Sequence, residues 1–553
     1  MILYILSDQA TTTKTKVSIM SSTSCHSTIV LDPNAPSPAG DASRNPFASN
    51  NHGESFNKKV EEALRHWRVP GLALAIVDHH TVISHGYGSS RVGSDAPDVT
   101  PATIFDIASM SKSFTASSMA LLVQDEEDET LKEVKWETPV SRLDPDLRFK
   151  DEEKTRSISV EDILSHRTGL QGHEESVRGV NHPHADTLAS VVRNMRNLPF
   201  AYPLRTKYEY NNLLYSCAAH LVERLSGSSF PSYLETNFWD KLNMSRTWLG
   251  PDNVPSSEAQ HMALGSIYST KKKIMLQLPH IPEPEGFGAG SIQSNVEDVA
   301  RWIHAQIYRL PPLSSQSYDD LRAPRILQDV PIEGQRGMSP SFYCLGWEVS
   351  WYHGYEIVRH DGSWAGFVSI MLYLPEKEWG VVLLGNSEDA SPVETEILFH
   401  LIDTLLQVPD EKRFDWRAHY DKKMQEWAHV KTKDELFPEL DEHKDDEPHE
   451  DPALQTLTGK YTNKGYHEIE LAFNAGKKQL QVDCSDRSYS FIWVIKERAY
   501  GYWYVCENID PASEEKRTFK CTFEVDGGGQ AKKFGVDLYA ETGDLIWFDK
   551  VEA

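Results

Sequence analysis

Ser109 and Lys112 stand three residues apart in "FDIASMSKSFTASSMALL" (Phe105 to Leu122), at the start of a segment patterned as a helix. Positions i and i+3 share a helix face, so the serine hydroxyl and the lysine amine can meet there. A lysine held among apolar side chains loses hydration, its ammonium form is disfavoured, and it becomes a usable base for the hydroxyl. That pair describes nucleophilic acyl chemistry. The spacing alone is cheap, because Ser55–Lys58, Ser269–Lys272 and Ser513–Lys516 repeat it. Ser55 opens a helix, where capping accounts for it, and Ser269 and Ser513 sit in polar, charged segments expected to be exposed. Ser109 differs in following Ile104, Phe105, Ile107 and Ala108 and preceding Phe114, Met119, Leu121 and Leu122.

Competing chemistry is thin. "NHPHAD" (Asn181 to Asp186) carries His-x-His-x-Asp but is followed by Thr187, with no strand leading into it, and reads as a surface loop. His166 and His173–Glu174 fail the spacing of a helical H-E-x-x-H zinc site. A G-x-S-x-G elbow is absent, which disfavours an α/β-hydrolase. "DGGGQ" at Asp526 reads as a turn rather than a phosphate loop. No cofactor and no metal is called for.

The elements that must position the pair come next. A helix is expected over Glu54 to Trp67, with Phe56, Val60, Ala63, Leu64 and Trp67 on one face. "VPGLALAIVDHHTVISHGYG" reads as a hairpin turning at Asp78-His79-His80. Three late β-rich runs (roughly 355–360, 366–374 and 379–385) precede a helical "VETEILFHLIDTLLQ". The hairpin and late runs are expected to close into one antiparallel sheet, covered by the first and last helices, with 105–345 forming a helical layer beside it. The expected organisation is a disordered leader over 1–53, an α+β catalytic domain over 54–410, a helical and acidic linker over 411–452, and a small all-β barrel or sandwich over 453–553.

Bulk properties narrow the partners. The chain has 553 residues and a net charge of −26, which disfavours nucleic acid and anionic membrane surfaces. Its acidic runs at Asp125–Glu137 and Asp434–Asp451 read as solvated surface. Six cysteines without a C-x-x-C pair suggest neither a disulfide framework nor zinc. No apolar stretch approaches a membrane span, and "MILYILSDQ" is too short for a signal-peptide core, so a cytoplasmic, reducing location is expected.

"ASMSKSFTA" resembles the nucleophile motif of the serine β-lactamase and penicillin-binding-protein superfamily, in its class C β-lactamase, DD-peptidase and esterase branch. Further stretches agree in order. "ISVEDILSHRTGL" is similar to the connector ending in His-x-x-Gly-Leu, and "YEYNNLLYSCAAHLVERLSG" to the Tyr-x-Asn element, giving Tyr210 and Asn212. "GFGAGSIQSNVEDVARW" resembles a segment near the site, and "RHDGSWAGF" the Lys/His-x-Gly element, giving His360, Asp361 and Gly362. The resemblance implies a transpeptidase-like fold and an acyl-enzyme on Ser109, with Lys112 and Tyr210 sharing acid–base work. A phenol near a cation ionises more readily, which would let Tyr210 relay the proton. Asn212 would orient Lys112 or the substrate amide, or else cap the helix that begins there. Gly362 would let its strand approach the substrate, and the N–H groups of Ser109 and Ser363 would form an oxyanion hole. His360 supplies less fixed charge for a carboxylate than lysine, which argues against a dedicated β-lactamase.

The expected substrates are therefore esters or D-amino-acid-type amides, small-molecule or peptide-like. Acyl transfer or cyclisation in small-molecule biosynthesis, β-lactam hydrolysis and a silent scaffold of the same fold are the alternatives. "LTGKYTNKGYHEIEL" is similar to a lipocalin-like domain appended to some members, which would gate the site, support a homo-oligomer or simply pack.

Overall fold

The structure, a computed structural model, describes residues 26–32, 44–47, 50–427, 429–440, 453–539 and 543–552. Its centre is the expected hairpin, β2 (Gly71–Asp78) and β3 (Thr81–Gly88), closed by Asp78 opposite Thr81 with His79 at φ 51°. All eight residues of β2 are buried, as a strand covered on both faces must be. β2 pairs with the last of three late strands, β7 (Tyr355–Trp364), β8 (Phe367–Leu374) and β9 (Trp379–Gly385). With β1 (His26–Val30), β4 (Ile326–Asp329), β5 (Ser341–Tyr343) and β6 (Glu348–Tyr352), the antiparallel sheet runs β1-β3-β2-β9-β8-β7-β6-β5-β4.

β1 corrects one expectation. His26–Val30 lies within the segment read as disordered, yet it pairs along β3 from His26 opposite His85 to Val30 opposite Thr81. Thr28, Ile29 and Val30 favour extended backbone, and β3 otherwise presents a row of unpaired amides. Residues 1–25 of that leader and 441–452 of the acidic linker lie outside the described residues.

Two layers sandwich the sheet. On one face, α1 (Asn50–Trp67) lays Phe56, Val60, Ala63, Leu64 and Trp67 against Leu72, Leu74, Ile76, Val381 and Leu383, beside α5 (Ala390–Leu405). On the other lie α2 (Ser111–Gln124), α3 (Asn212–Ser226) and α4 (Val296–Tyr308), where Phe114 stacks on Trp302 at 4.2 Å between centroids. Five residues of α1 buried at helical spacing, at roughly 1.5–3 kcal/mol per large side chain, explain why this face is settled by sequence period alone. The middle region also holds short strands that periodicity did not reveal, including Phe105–Asp106 paired with Ile292–Ser294.

From Gly459 the chain forms an eight-stranded antiparallel barrel in simple up-and-down order. Its strands are β10 (Gly459–Asn463), β11 (His467–Asn474), β12 (Gln479–Cys484), β13 (Phe491–Tyr500), β14 (Trp503–Ile509), β15 (Lys516–Val525), β16 (Ala531–Val536) and β17 (Ile546–Lys550). Closure comes from Tyr461 opposite Lys550 and Thr462 opposite Asp549, which removes both sheet edges. Tyr461, Trp493, Phe534 and Phe548 fill its interior. The five described cysteines are free and buried. Among the described residues no helix is long and apolar enough to cross a membrane.

Candidate active site

Ser109 sits on a strained turn. After the short strand Phe105–Asp106 the chain enters a 3₁₀ turn, Ala108–Met110, that runs directly into α2. Ala108 adopts φ 46°, left-handed backbone that costs a non-glycine residue about 1 kcal/mol or more. The surroundings over-determine it. Asp106 Oδ1 accepts from the Ala108 N–H at 2.8 Å, Gln293 Nε2 donates to Asp106 Oδ2 at 2.7 Å, and the Ser111 hydroxyl donates to the Ala108 carbonyl at 2.6 Å. Burial pushes the Asp106 carboxyl up to about 6, against those two hydrogen bonds. The result aims Ser109 into the cleft at the positive end of α2.

Lys112, the second residue of α2, is fully buried. Its Nζ donates to Ser109 Oγ at 3.0 Å, Asn212 Oδ1 at 2.8 Å and the Ala289 carbonyl at 2.8 Å. All three acceptors are neutral. Burial lowers its pKa from the usual lysine range to about 7, opposed by the more distant carboxylates of Glu174, Asp361 and Glu283. The two asparagines at the start of α3 divide their labour: Asn211 is the cap, its Oδ1 accepting from the Leu214 N–H at 2.9 Å. Asn212 is thereby free for Lys112. Tyr210 places its ring 4.8 Å from Lys112 Nζ. Burial raises the Tyr210 phenol well above its ordinary pKa, although its hydrogen bond with Ser109 pulls it down. Desolvation outweighs that bond, so the phenol is held protonated rather than readied to ionise as expected.

β7 forms the opposite wall. Beyond Arg359, which faces Glu348, β7 has lost its β6 partner, and the turn bearing Ser109 packs against that open edge. Ser369 of β8 ties the turn down, donating to the Ile107 carbonyl at 2.9 Å. Alternation along β7 sends Gly362 under the turn: a Cβ there would lie 2.6 Å from the Ile107 carbonyl and 2.8 Å from the Ser109 amide nitrogen. Both are backbone atoms, so the turn itself would have to move. Gly362→Ala is expected to lower kcat/KM by about 100-fold, because a displacement near 1 Å suffices for that. Steady-state kinetics beside a thermal melt separates this loss from simple unfolding.

His360 is buried behind the cleft rather than lining it, hydrogen-bonded through Nε2 to the Tyr343 hydroxyl at 3.0 Å and through Nδ1 to the Asp361 carbonyl at 2.6 Å. Burial holds its pKa below the usual value, against the pull of Glu348 and Asp361. The cleft is lined instead by Ser109, Tyr208, Tyr210, Asn212, Asp361, Gly362, Ser363 and Trp364.

The remaining Ser-x-x-Lys matches do not build a site. Ser269 and Ser513 are buried, not exposed as expected, because each serves a tight turn: Ser269 Oγ accepts from the Lys272 N–H at 3.1 Å, and Ser513 donates to Asp510 at 2.8 Å. In "NHPHAD", Asp186 is spent on Arg178, at 2.8 Å, and His184 is exposed.

Several groups at the site carry no motif of their own. Glu174 accepts from Asn212 Nδ2 at 3.1 Å, and burial lifts it to about 7. Glu283 and Glu285 stand nearby on "EPEG". Tyr489 comes from the barrel, in the β12–β13 loop, and its hydroxyl accepts from Asn212 Nδ2 at 3.3 Å. That loop is anchored by Arg487, which donates to the Ser176 and Tyr466 carbonyls at 3.3 and 3.0 Å, and by the Ser488 N–H, which donates to the Val177 carbonyl at 3.2 Å. Only "EPEG", just before "GFGAG", could have drawn attention in the sequence.

Fold and cleft together define the transpeptidase-like α+β class, here carrying a closed eight-stranded barrel. A β-lactamase family model matches residues 56–404, and the chain belongs to that family. It is 32% identical over 458 residues to unguisins hydrolase ungD of Aspergillus violaceofuscus, covering 79% of each chain. Among solved structures it resembles the octameric penicillin-binding protein homologue of Pyrococcus abyssi, at 18% identity and TM-score 0.55, over 90% of this chain and 100% of that one. The D-amino acid amidase of Ochrobactrum anthropi is similar at 21% identity and TM-score 0.51, over 64% and 98%. Family and named relatives support an enzyme of the hydrolase type.

Proposed function

We propose that the protein is a serine hydrolase that forms an acyl-enzyme on Ser109 and acts on esters or D-amino-acid-type amides. The observation that carries this is Lys112: a buried amine held by three neutral acceptors, one of them the Ser109 hydroxyl, with its pKa lowered to about 7. In its neutral form Lys112 takes the Ser109 proton as Oγ attacks the substrate carbonyl. The N–H groups of Ser109 and Ser363 would receive the developing oxyanion. As the tetrahedral species collapses, the proton returns to the leaving amine or alcohol, directly from Lys112 or through Tyr210, which stays a protonated donor. Water then attacks the acyl-enzyme, gives its proton to Lys112, and releases the acid with Ser109 restored.

The preference for amides and esters over β-lactams rests on His360, whose burial keeps it neutral and away from the cleft, and on Asp361, which puts a carboxyl where a substrate carboxylate would be repelled. The structural neighbour named a D-amino acid amidase is in keeping with it. A homo-oligomer is part of the proposal, by likeness to the octameric relative.

Incubation with a fluorophosphonate, followed by intact-mass and peptide mapping, is expected to give one adduct on the peptide bearing Ser109. An unmodified protein, or an adduct mapped elsewhere, refutes the reading. A panel of p-nitrophenyl esters, D-aminoacyl anilides and a chromogenic cephalosporin then ranks substrates. Fastest turnover of the cephalosporin would overturn the reading of His360.

A further inference from the structure

Beside Ser109 lies a small cavity of about 40 Å³ that the reaction above does not use, bounded by Glu283, Glu285, Trp364 and the barrel residues Ser488 and Tyr489. Its two carboxyls lie beside the neutral Asn212, Ser216 and Ser488. Glu283 is 7% exposed and Glu285 1%. Glu285 Oε1 accepts from the Ser488 hydroxyl, whereas Oε2 is buried without a hydrogen-bond partner among the described residues. Neither carboxyl has a lysine, arginine or histidine ion-pair partner among the described residues, and no His, Cys, Asp or Glu grouping there is arranged to hold a metal.

Two carboxyls that share a buried pocket without a cation are an unbalanced arrangement. Burial and mutual repulsion push Glu283 well above its ordinary range, with Asp106 adding to the repulsion and Lys112 opposing it. Burial raises Glu285 likewise, against its bond from Ser488. A buried acceptor left unpaired costs about 1–3 kcal/mol, which a ligand bringing N–H donors and positive charge recovers. The volume suits one nitrogen head group, and an anion would meet two carboxylates. The walls fit a cation as well: the Trp364 and Tyr489 rings stand 4.8 Å apart at 64°.

We propose that this cavity is an ammonium subsite, which takes the free amine of an aminoacyl substrate next to the carbonyl that Ser109 attacks. The inference rests on the hydrolase reading and adds the substrate class: esters or amides of amino acids and peptides with an unblocked amino group. It also gives the barrel a role, since Ser488 and Tyr489 close the subsite and Tyr489 reaches Asn212, the partner of Lys112. A cation seated there would favour ionised Glu283 and Glu285.

Hydrolysis of D-phenylalanine p-nitroanilide and its N-acetyl derivative tests the idea. The free amine is expected to be preferred in kcat/KM by about 30-fold or more, since removing one partner of a buried charge contact costs at least that. In Glu283→Gln, Glu285→Gln and the double variant, the ratio should collapse toward unity, mainly through KM. Calorimetric titration gives a readout independent of turnover. Wild type should bind benzylammonium chloride and not benzyl alcohol, and the double variant should bind neither. Equal turnover of the two anilides, an unchanged ratio in the variants, or benzylammonium binding that survives the double substitution would each overturn the subsite. If no anilide or ester is turned over, the hydrolase reading fails, and the benzylammonium titration still decides whether the cavity takes a cation.

Discussion

Ser109→Ala is expected to lower turnover of the best ester or anilide at least about 10⁴-fold, the order seen when a nucleophile that works as a unit with its base is removed. Ser109 is the hydroxyl that Lys112 touches, and the cleft around it is completed by Tyr210, Asn212 and Gly362. The fold should barely notice. Lys112 keeps Asn212 Oδ1 and the Ala289 carbonyl as acceptors, and the turn remains held by Asp106 and Ser111. The two hydrogen bonds lost, with Lys112 and with Tyr210, are worth about 1 kcal/mol each, so the melting temperature should shift by a few degrees at most. Fluorophosphonate labelling should vanish in the same variant. Retained turnover in a folded Ser109→Ala protein would remove the serine mechanism altogether.

Lys112→Met is expected to reduce kcat/KM by about 10³-fold or more, toward the upper part of the range general-base groups contribute because substrate positioning through Asn212 also suffers. The methionine fills the same buried space and removes an amine whose burial is unfavourable when charged, but it leaves Asn212 Oδ1 and the Ala289 carbonyl without their donor, so stability should fall by about 1–3 kcal/mol. The pH profile makes this specific. A base must be deprotonated, and Lys112 titrates at about 7. Activity should therefore climb through pH 7 and reach a plateau above it. At pH 5 only about 1% of an amine with that pKa is neutral, so kcat/KM should fall on the order of 100-fold from the plateau. Glu174 ionises in the same window and, once charged, raises Lys112, which spreads the limb over a wider interval than one group alone would give. Tyr210 stays protonated throughout, so no descending limb should come from it below pH 10. A profile flat between pH 5 and 8, or a limb that persists in Lys112→Met, would assign the base elsewhere.

The central sheet was legible because its strands and helices announce themselves locally. The hairpin around His79, the three late runs and the apolar stripe of Phe56, Val60, Ala63, Leu64 and Trp67 follow from side-chain period, and burial of that stripe closes the layer. Tyr210, Asn212 and Gly362 were legible by their order along the chain and by likeness to a family. His26–Val30 was not, since a five-residue strand in a Ser/Thr-rich segment gains its stability only from the open edge of β3.

The sequence by itself determined the element order, the family and the residue types available for acyl chemistry. Tertiary structure decided which of them meet. Of the four equal matches, it buries the lysine against neutral acceptors, drawn from 100 and 177 residues away, at Ser109 alone. It separated the neighbours Asn211 and Asn212 into a helix cap and a site residue, and it moved His360 behind the wall while turning Asp361 into the cleft. It also carried Tyr489 of the barrel to within hydrogen-bonding distance of a residue 277 positions earlier. Desolvation sets the chemistry of all these groups, and desolvation is a property of packing that no local spacing encodes.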